Sequence, residues 1–293
     1  MKDYKIVTKS NSKNIHANKA LGKTATRLFL ELLKNGQHTF NLADAEEIVG
    51  LRDFSLRNFV SKLQQKGFVS RIKAGLYNIV PLEMGTESEY LGDPYVVVRE
   101  IVRKKFKKLE PQYFISHASA MDIHQMVTQP HLEVYATTTQ QIKAHHVLGT
   151  KFNFITCKPQ HHFGFKKHWA TKTEMVFVSD LERTVLDGLK MPEYCGGITE
   201  VAKGFWMKRS EINYSKLVDY AEKLDIGAVY RRLGYLLEVY GIDCPKEIER
   251  LQKKITRSYS LLDPTLLEEG KYQTRWQLQL NISKEEFLSV VRT

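Results

Sequence analysis

RDFSLRNFVSKLQQKGFVSRIKAGLYNIV, residues 52–80, decides how this chain is read. It divides into a helix and a two-strand hairpin. Leu56, Phe59, Val60 and Leu63 recur at the i, i+3, i+4, i+7 spacing, so one stripe of the helix is apolar and faces a core. A rotation of about 100° per residue sends Arg57, Asn58, Ser61, Lys62 and Gln65 to the opposite side. Asp53 has the side chain of an N-cap and Gly67 that of a residue just past a helix C-terminus. Phe68–Ile72 then reads as a short strand carrying Arg71, Lys73-Ala74-Gly75 as a tight turn, and Leu76–Val80 as the return strand, stopped by Pro81.

Upstream, Asn18–Lys34 places Leu21, Ala25, Leu28, Phe29, Leu32 and Leu33 on one face, and Asn35-Gly36 ends it. Asn41–Val49 predicts a short helix leading through Gly50 to the next. Three helices and a basic hairpin make residues 18–81 a winged helix-turn-helix in expectation. Its DNA-contacting residues would be Ser55, Arg57, Asn58, Ser61, Lys62, Gln65, Lys66, Arg71 and Lys73, side chains that reach phosphates and base edges. The competing reading is an ordinary solvated face, the usual fate of Lys and Arg. Charge distribution favours the first reading. Residues 1–82 hold 14 Lys+Arg against 6 Asp+Glu, whereas the rest of the chain holds 30 against 27. Most of the +11 net charge therefore sits on the smaller, helix-and-hairpin segment.

The chain's 293 residues, 42% hydrophobic and 11% aromatic, are enough for two domains with real cores. Residues 1–17, MKDYKIVTKSNSKNIHA, are polar and basic without an apolar period and are expected to form a flexible arm. No apolar run approaches a membrane span, and no apolar stretch follows Lys2 as a secretory signal would need, so a cytoplasmic protein with no membrane contact is expected. Cys157, Cys195 and Cys244 are scattered and odd in number, which suits reduced thiols better than disulfides or a metal site. Residues 82–93, LEMGTESEYLGD, read as an acidic linker.

A second domain, 94–293, is expected to be α+β or α/β. It opens on a basic amphipathic helix, Pro94–Lys108, with Val97, Val98, Ile101, Val102 and Phe106 inside and Arg99, Arg103, Lys104, Lys105, Lys107 and Lys108 outside. Four strand-like runs follow, Gln112–Ser116, Leu132–Thr137, Phe152–Thr156 and Glu174–Val178, with a helix His117–Val127 between the first two. The helical part comprises Asp180–Leu189, Ile198–Met207, Tyr214–Leu224, Ala228–Tyr240 and Pro245–Arg257, and Arg275–Asn281 alternates as a last strand.

Several groups of residues invite an enzymatic reading. Asp180, Glu182 and Asp187 look like a carboxylate cluster, yet Ser179-Asp180-Leu181-Glu182 fits the S-x-x-E capping box, with an ion pair to Arg183. His161, His162 and His168 lack a Cys or acidic co-ligand, and the lysines among them repel a cation. His117 and His124, seven apart, read as polar contacts beside the sheet. Gly196-Gly197 opens a helix and fits a tight turn more simply than an anion site. No phosphate loop, dinucleotide fingerprint or nucleophile elbow is present in the sequence. Catalytic residues, a metal and a cofactor are accordingly not expected.

Taken in order, these segments resemble the AbiEi family of antitoxins from type IV abortive-infection toxin–antitoxin systems. GFVSRIKAGLYNIVP is similar to that family's N-terminal domain, and YFISHASAMDIHQM to its SHxSA helix start. VSDLERTVLDGLKMPEYCGGITEVAKGF resembles its most recognisable stretch, and YRRLGYLLEVYG the helix after it. The resemblance spans about residues 20–280. It implies an autorepressor that binds inverted repeats of double-stranded DNA in its own promoter, and a C-terminal domain that opposes a nucleotidyltransferase-class toxin. Two other readings stay open. One is a solitary transcription factor whose second domain senses a ligand or mediates assembly. The other is a nucleotidyltransferase or nuclease with a DNA-binding front end.

Overall fold

The computed structural model describes residues 21–84, 90–106, 111–129 and 131–289, without the side chains of Leu82 and Lys104. The expected arm 1–17 lies outside the described residues, as do Lys107 and Lys108.

The N-terminal part runs α1 (Lys23–Lys34), β1 (Thr39–Asn41), α2 (Leu42–Val49), α3 (Asp53–Gln65), β2 (Val69–Lys73) and β3 (Leu76–Ile79). Ala25, Leu28, Phe29 and Leu32 of α1 are buried against Leu56, Val60 and Leu63 of α3, with Phe40, Ala45, Phe68 and Val69 completing the core. Leu33 departs from the expected stripe and is 45% exposed. Asn41 caps α2 reciprocally with Asp44, its side chain accepting from the Asp44 amide at 3.0 Å while Asp44 accepts from the Asn41 amide at 2.8 Å. Gly67, at φ +69°, ends α3. That left-handed turn lets the amides of Phe68 and Gly67 bond back to the carbonyls of Leu63 (3.0 Å) and Gln64 (2.9 Å). The strand β1, too short to show a period in sequence, pairs with β3 and makes the hairpin a three-stranded sheet in the order β1-β3-β2.

The rest is mixed α and β. It begins with α4 (Pro94–Lys105), β4 (Tyr113–Ile115), α5 (His117–Ile123), β5 (Glu133–Thr138), β6 (His145–Val147), β7 (Thr150–Thr156), β8 (Phe165–Trp169) and β9 (Met175–Ser179). The six strands form one sheet in the order β6-β7-β5-β4-β9-β8, with β5/β7 and β4/β9 parallel and the other pairs antiparallel. Of these, β6 and β8 sit at the edges, and their sequences, HHV and FKKHW, carry the charged and polar residues that edge strands favour. That composition hid them from a pattern search.

A helical layer follows: α6 (Leu181–Lys190), α7 (Ile198–Lys208), α8 (Tyr214–Leu224), α9 (Gly227–Val239) and α10 (Pro245–Gln252). The chain closes with a small sheet, β10 (Ser260–Leu261), β11 (Lys271–Gln273) and β12 (Leu278–Leu280), and with α11 (Lys284–Ser289). Trp276, Leu278 and Phe287 from this last segment enter the core of α6–α10.

The two parts are joined by more than a tether. Ile72 and Leu76 of the hairpin enter the core that α4 forms with the six-stranded sheet. Thr173, in the β8–β9 turn, donates to the Gly36 carbonyl at 3.1 Å. Within the stretch 82–93, read from sequence as linker, Ser70 Oγ bonds the Tyr90 carbonyl, and Asp93 caps α4 by accepting from the amides of Tyr95 and Val96.

Candidate nucleic-acid interface

The outer side of α3 is fixed by its inner side. With Leu56, Val60 and Leu63 in the core, Ser55, Arg57, Asn58, Ser61, Lys62, Gln65 and Lys66 are all exposed. Asp53 is not the N-cap: Arg52 occupies that position with extended backbone and no side-chain cap bond, and Asp53 is the first helical residue, at φ +47°. The backbone enters α3 through Asp53 in a left-handed conformation, which Asp tolerates better than most side chains. Arg52 makes a 3.5 Å pair with Glu46 at the surface, too exposed to anchor either.

Between α3 and the hairpin lies an open groove of about 460 Å³ lined by Leu42, Arg57, Ser61, Gln64, Arg71, Ala74, Gly75 and Tyr77. Among the described residues no acidic side chain lines it. Three of the residues expected to touch DNA therefore meet there: Arg57, Ser61 and Arg71. Lys62 and Lys66 line a separate hollow of about 240 Å³, shared with Lys23 and Thr24 at the N-terminus of α1. No acidic residue stands in the first turn of α1, and its N-cap, Gly22, supplies no side-chain bond. Positive charge is thus arrayed on both flanks of α3. Ser55, Asn58 and Gln65 line neither hollow.

Lys73 behaves differently from the other residues expected here. Strict alternation would put Arg71 and Lys73 on the same face of β2. The β2/β3 register shifts between them, so that Arg71 opposes Tyr77 while Lys73 opposes Leu76. This irregularity breaks the alternation. Arg71 stays exposed, whereas Lys73 is half-buried and donates from Nζ to the Ile101 carbonyl of α4 at 3.3 Å. Its ammonium faces the protein's own second part. The carbonyls toward a helix C-terminus favour a cation there.

The basic face of α4 is also partly engaged. Arg99 bonds Glu100 and Glu174, each at 2.8 Å, and the Met175 carbonyl at 3.1 Å; Lys105 bonds the Gln141 carbonyl. Arg103 makes a loose 3.7 Å pair with Glu100. Sequence reasoning overlooked Gln64 and Tyr77. Gln64 follows Ser61 by three and Arg57 by seven, so the helical period alone would have placed it with them. Finding Tyr77 required the cross-strand register with Arg71.

The carboxylates that invited an enzymatic reading are each bonded to neighbouring groups of the protein. Asp180, not Ser179, caps α6 by accepting from the Arg183 amide at 2.9 Å. Glu182 does not return to that cap. It reaches α8, accepting from the Asn213 amide at 2.9 Å and from Lys216 Nζ at 2.8 Å. Burial alone would raise the Glu182 carboxyl, but the Lys216 ammonium and the backbone amides outweigh it and hold it below the usual carboxylate range. Arg183, 1% exposed, bonds Asp187 Oδ1 at 2.9 Å and the carbonyls of His161 and Phe163, and its guanidinium lies over the rings of Phe114 and Phe163.

The buried His117 bonds Ser116 Oγ through Nδ1 at 2.9 Å, and His124 Nε2 lies 2.7 Å from the Ser179 carbonyl. His162 packs at a tilt against the rings of Phe114 and Phe165, while His168 lies in β8. Among the described residues no group of three or more His, Cys, Asp or Glu side chains is placed to hold a metal ion. The amide of Ile198, at the N-terminus of α7 just after Gly196-Gly197, is already bonded by the Asp263 carboxylate at 2.9 Å. No helix among the described residues is long and apolar enough to cross a membrane.

The fold as a whole is similar to that of the Rv2827c protein of Mycobacterium tuberculosis, known from a crystal structure. The likeness covers 94% of this chain and 97% of that one, with a TM-score of 0.67 at 13% identity. It establishes a shared mixed α+β architecture across both parts. No family model matches the chain, and no curated protein matches it.

Proposed function

We propose that residues 21–81 form a winged helix-turn-helix that binds duplex DNA, with α3 as the reading helix and β2–β3 as the wing. The observation that carries this reading is the groove where Arg57, Ser61 and Gln64 of α3 meet Arg71 and Tyr77 of the hairpin with no acidic side chain among them. Two guanidinium groups on one open concavity match a phosphate backbone, and the adjacent amide and hydroxyl groups match base edges. The flanking Lys23, Lys62 and Lys66 extend the positive surface along the helix.

The chain acts, in this reading, as a DNA-binding autorepressor without catalytic residues. Its second part is the antitoxin domain that the AbiEi resemblance implies, opposing a nucleotidyltransferase-class toxin. The buried bonding of Asp180, Glu182 and Asp187 supports a structural rather than a catalytic use for those carboxylates. Footprinting of the full chain on the DNA upstream of its own gene tests the first part. A protected inverted repeat, lost with Arg57→Ala together with Arg71→Ala, is expected. Unchanged protection by that double variant refutes the interface. Co-expression with a neighbouring nucleotidyltransferase gene tests the second part, and failure to restore growth removes the antitoxin role.

A further inference from the structure

We infer that Phe54 reads the C5-methyl group of a thymine, an assignment that rests on the DNA-binding reading and deepens it. Phe54 is 76% exposed, whereas Leu56, Val60 and Leu63 of the same helix are 3%, 0% and 5% exposed. It therefore has no part in the core. Among the described residues of α3 it is the one large apolar side chain left at the surface. By the helical period it lies about 20° from Ser61 and about 40° from Asn58, in the middle of the polar face.

The chemistry of that position selects its ligand. The N-terminal residues of a reading helix are the ones that reach base edges. Of the features a base pair presents in the major groove, the thymine methyl is the apolar one. Asp53 adds a negative charge in the same first turn, and the guanidiniums suited to phosphate, Arg57 and Arg71, line the groove beside the hairpin. A second copy of the chain is a poor occupant, since stacking this face on itself would bring Arg57 and Lys62 of two copies together. A polyanion complements the same face.

The test begins with sites selected from random duplexes by the full chain. Each thymine of a selected site is then replaced singly by deoxyuridine, which removes only the methyl group. Wild-type protein is expected to lose about fourfold in affinity at one thymine per bound helix, the worth of one buried methyl. Phe54→Ala is expected to bind the thymine site about as weakly as wild type binds the uracil site, and to be indifferent to the replacement. Phe54→Leu, which keeps an apolar contact, is expected to retain part of the discrimination. A scan with no sensitive thymine in the wild type, or an equal loss in wild type and Phe54→Ala, overturns the assignment while leaving salt-dependent selective binding intact. If the wild type selects no sequence and its binding does not respond to salt, the parent reading fails instead.

Discussion

Arg71 and Lys73 are two residues apart on one basic hairpin, and the structure predicts opposite consequences for removing them. Arg71 is exposed on the α3 groove, so Arg71→Ala should delete one phosphate contact. That reduces the slope of log affinity against log salt by about 0.9, so that between 50 and 200 mM salt the wild type loses about threefold more affinity than the variant. Folding stability should change by less than about 0.5 kcal/mol, as for most surface substitutions. Lys73→Ala instead removes the 3.3 Å bond from Nζ to the Ile101 carbonyl. A hydrogen bond to a charged group contributes roughly 1.5–3 kcal/mol when buried, and partial exposure reduces this to about 1 kcal/mol. The salt slope should stay as in the wild type. Fluorescence-anisotropy titrations over a salt series and urea unfolding, run on both variants, separate the two. A Lys73→Ala variant that loses a full phosphate contact from the slope and keeps its unfolding midpoint would show that the hairpin faces outward at both positions, and the docking of its lysine on α4 would be wrong.

Three further outcomes are expected. Burial pulls His117 down to about 4 from its ordinary 6.5, against the opposing pull of the Asp187 carboxylate. The unfolded chain then binds a proton that the native protein refuses, so stability is full above pH 6.5 and falls as pH drops toward 4, by about 3 kcal/mol in total; a His117→Gln variant that folds should lose this component of the pH dependence, and an unaltered slope in urea melts would contradict it. Asp187→Ala leaves the buried Arg183 guanidinium without its carboxylate and should cost about 3–5 kcal/mol of stability. A loss below 1 kcal/mol in the same melts means that the pair is solvated. Gly234→Ala would set a Cβ 2.1 Å from the Trp276 ring, so repacking should cost about 1–3 kcal/mol or more and shift the Trp276 emission; an unperturbed spectrum and midpoint would show that the ring has room to move.

Much of this molecule is legible in its amino acids, because local rules govern those parts. The α3 stripe Leu56, Val60 and Leu63 fixes which side of that helix is outside, since a period of 3.6 leaves no freedom once the core positions are set. Gly67 marks a helix end through bonds that span a few residues, whereas Asn41, read from the sequence as the first residue of a helix, is the N-cap of α2. The runs that became β4, β5, β7 and β9 stand out because central strands are apolar. Pairing across long separations is not local. The strands β1, β6, β8, β10 and β11 are short or polar and exist because a partner strand is present. The roles of Glu182 and Lys73 were decided in the same way. Nothing within four residues of Glu182 indicates that its carboxylate will meet Lys216 of α8 and Asn213, the residue that caps it. Nothing in VSRIKAGLY announces a register shift between Arg71 and Lys73.

The sequence by itself determined a cationic N-terminal segment with an amphipathic helix and a hairpin, because charge and periodicity are properties of residue types and spacings. Tertiary structure alone decided which cations stay available. Both positions carry a cation in the sequence, and the register shift in β2, together with the packing of Ile72 and Leu76 against the second core, separates Arg71 from Lys73.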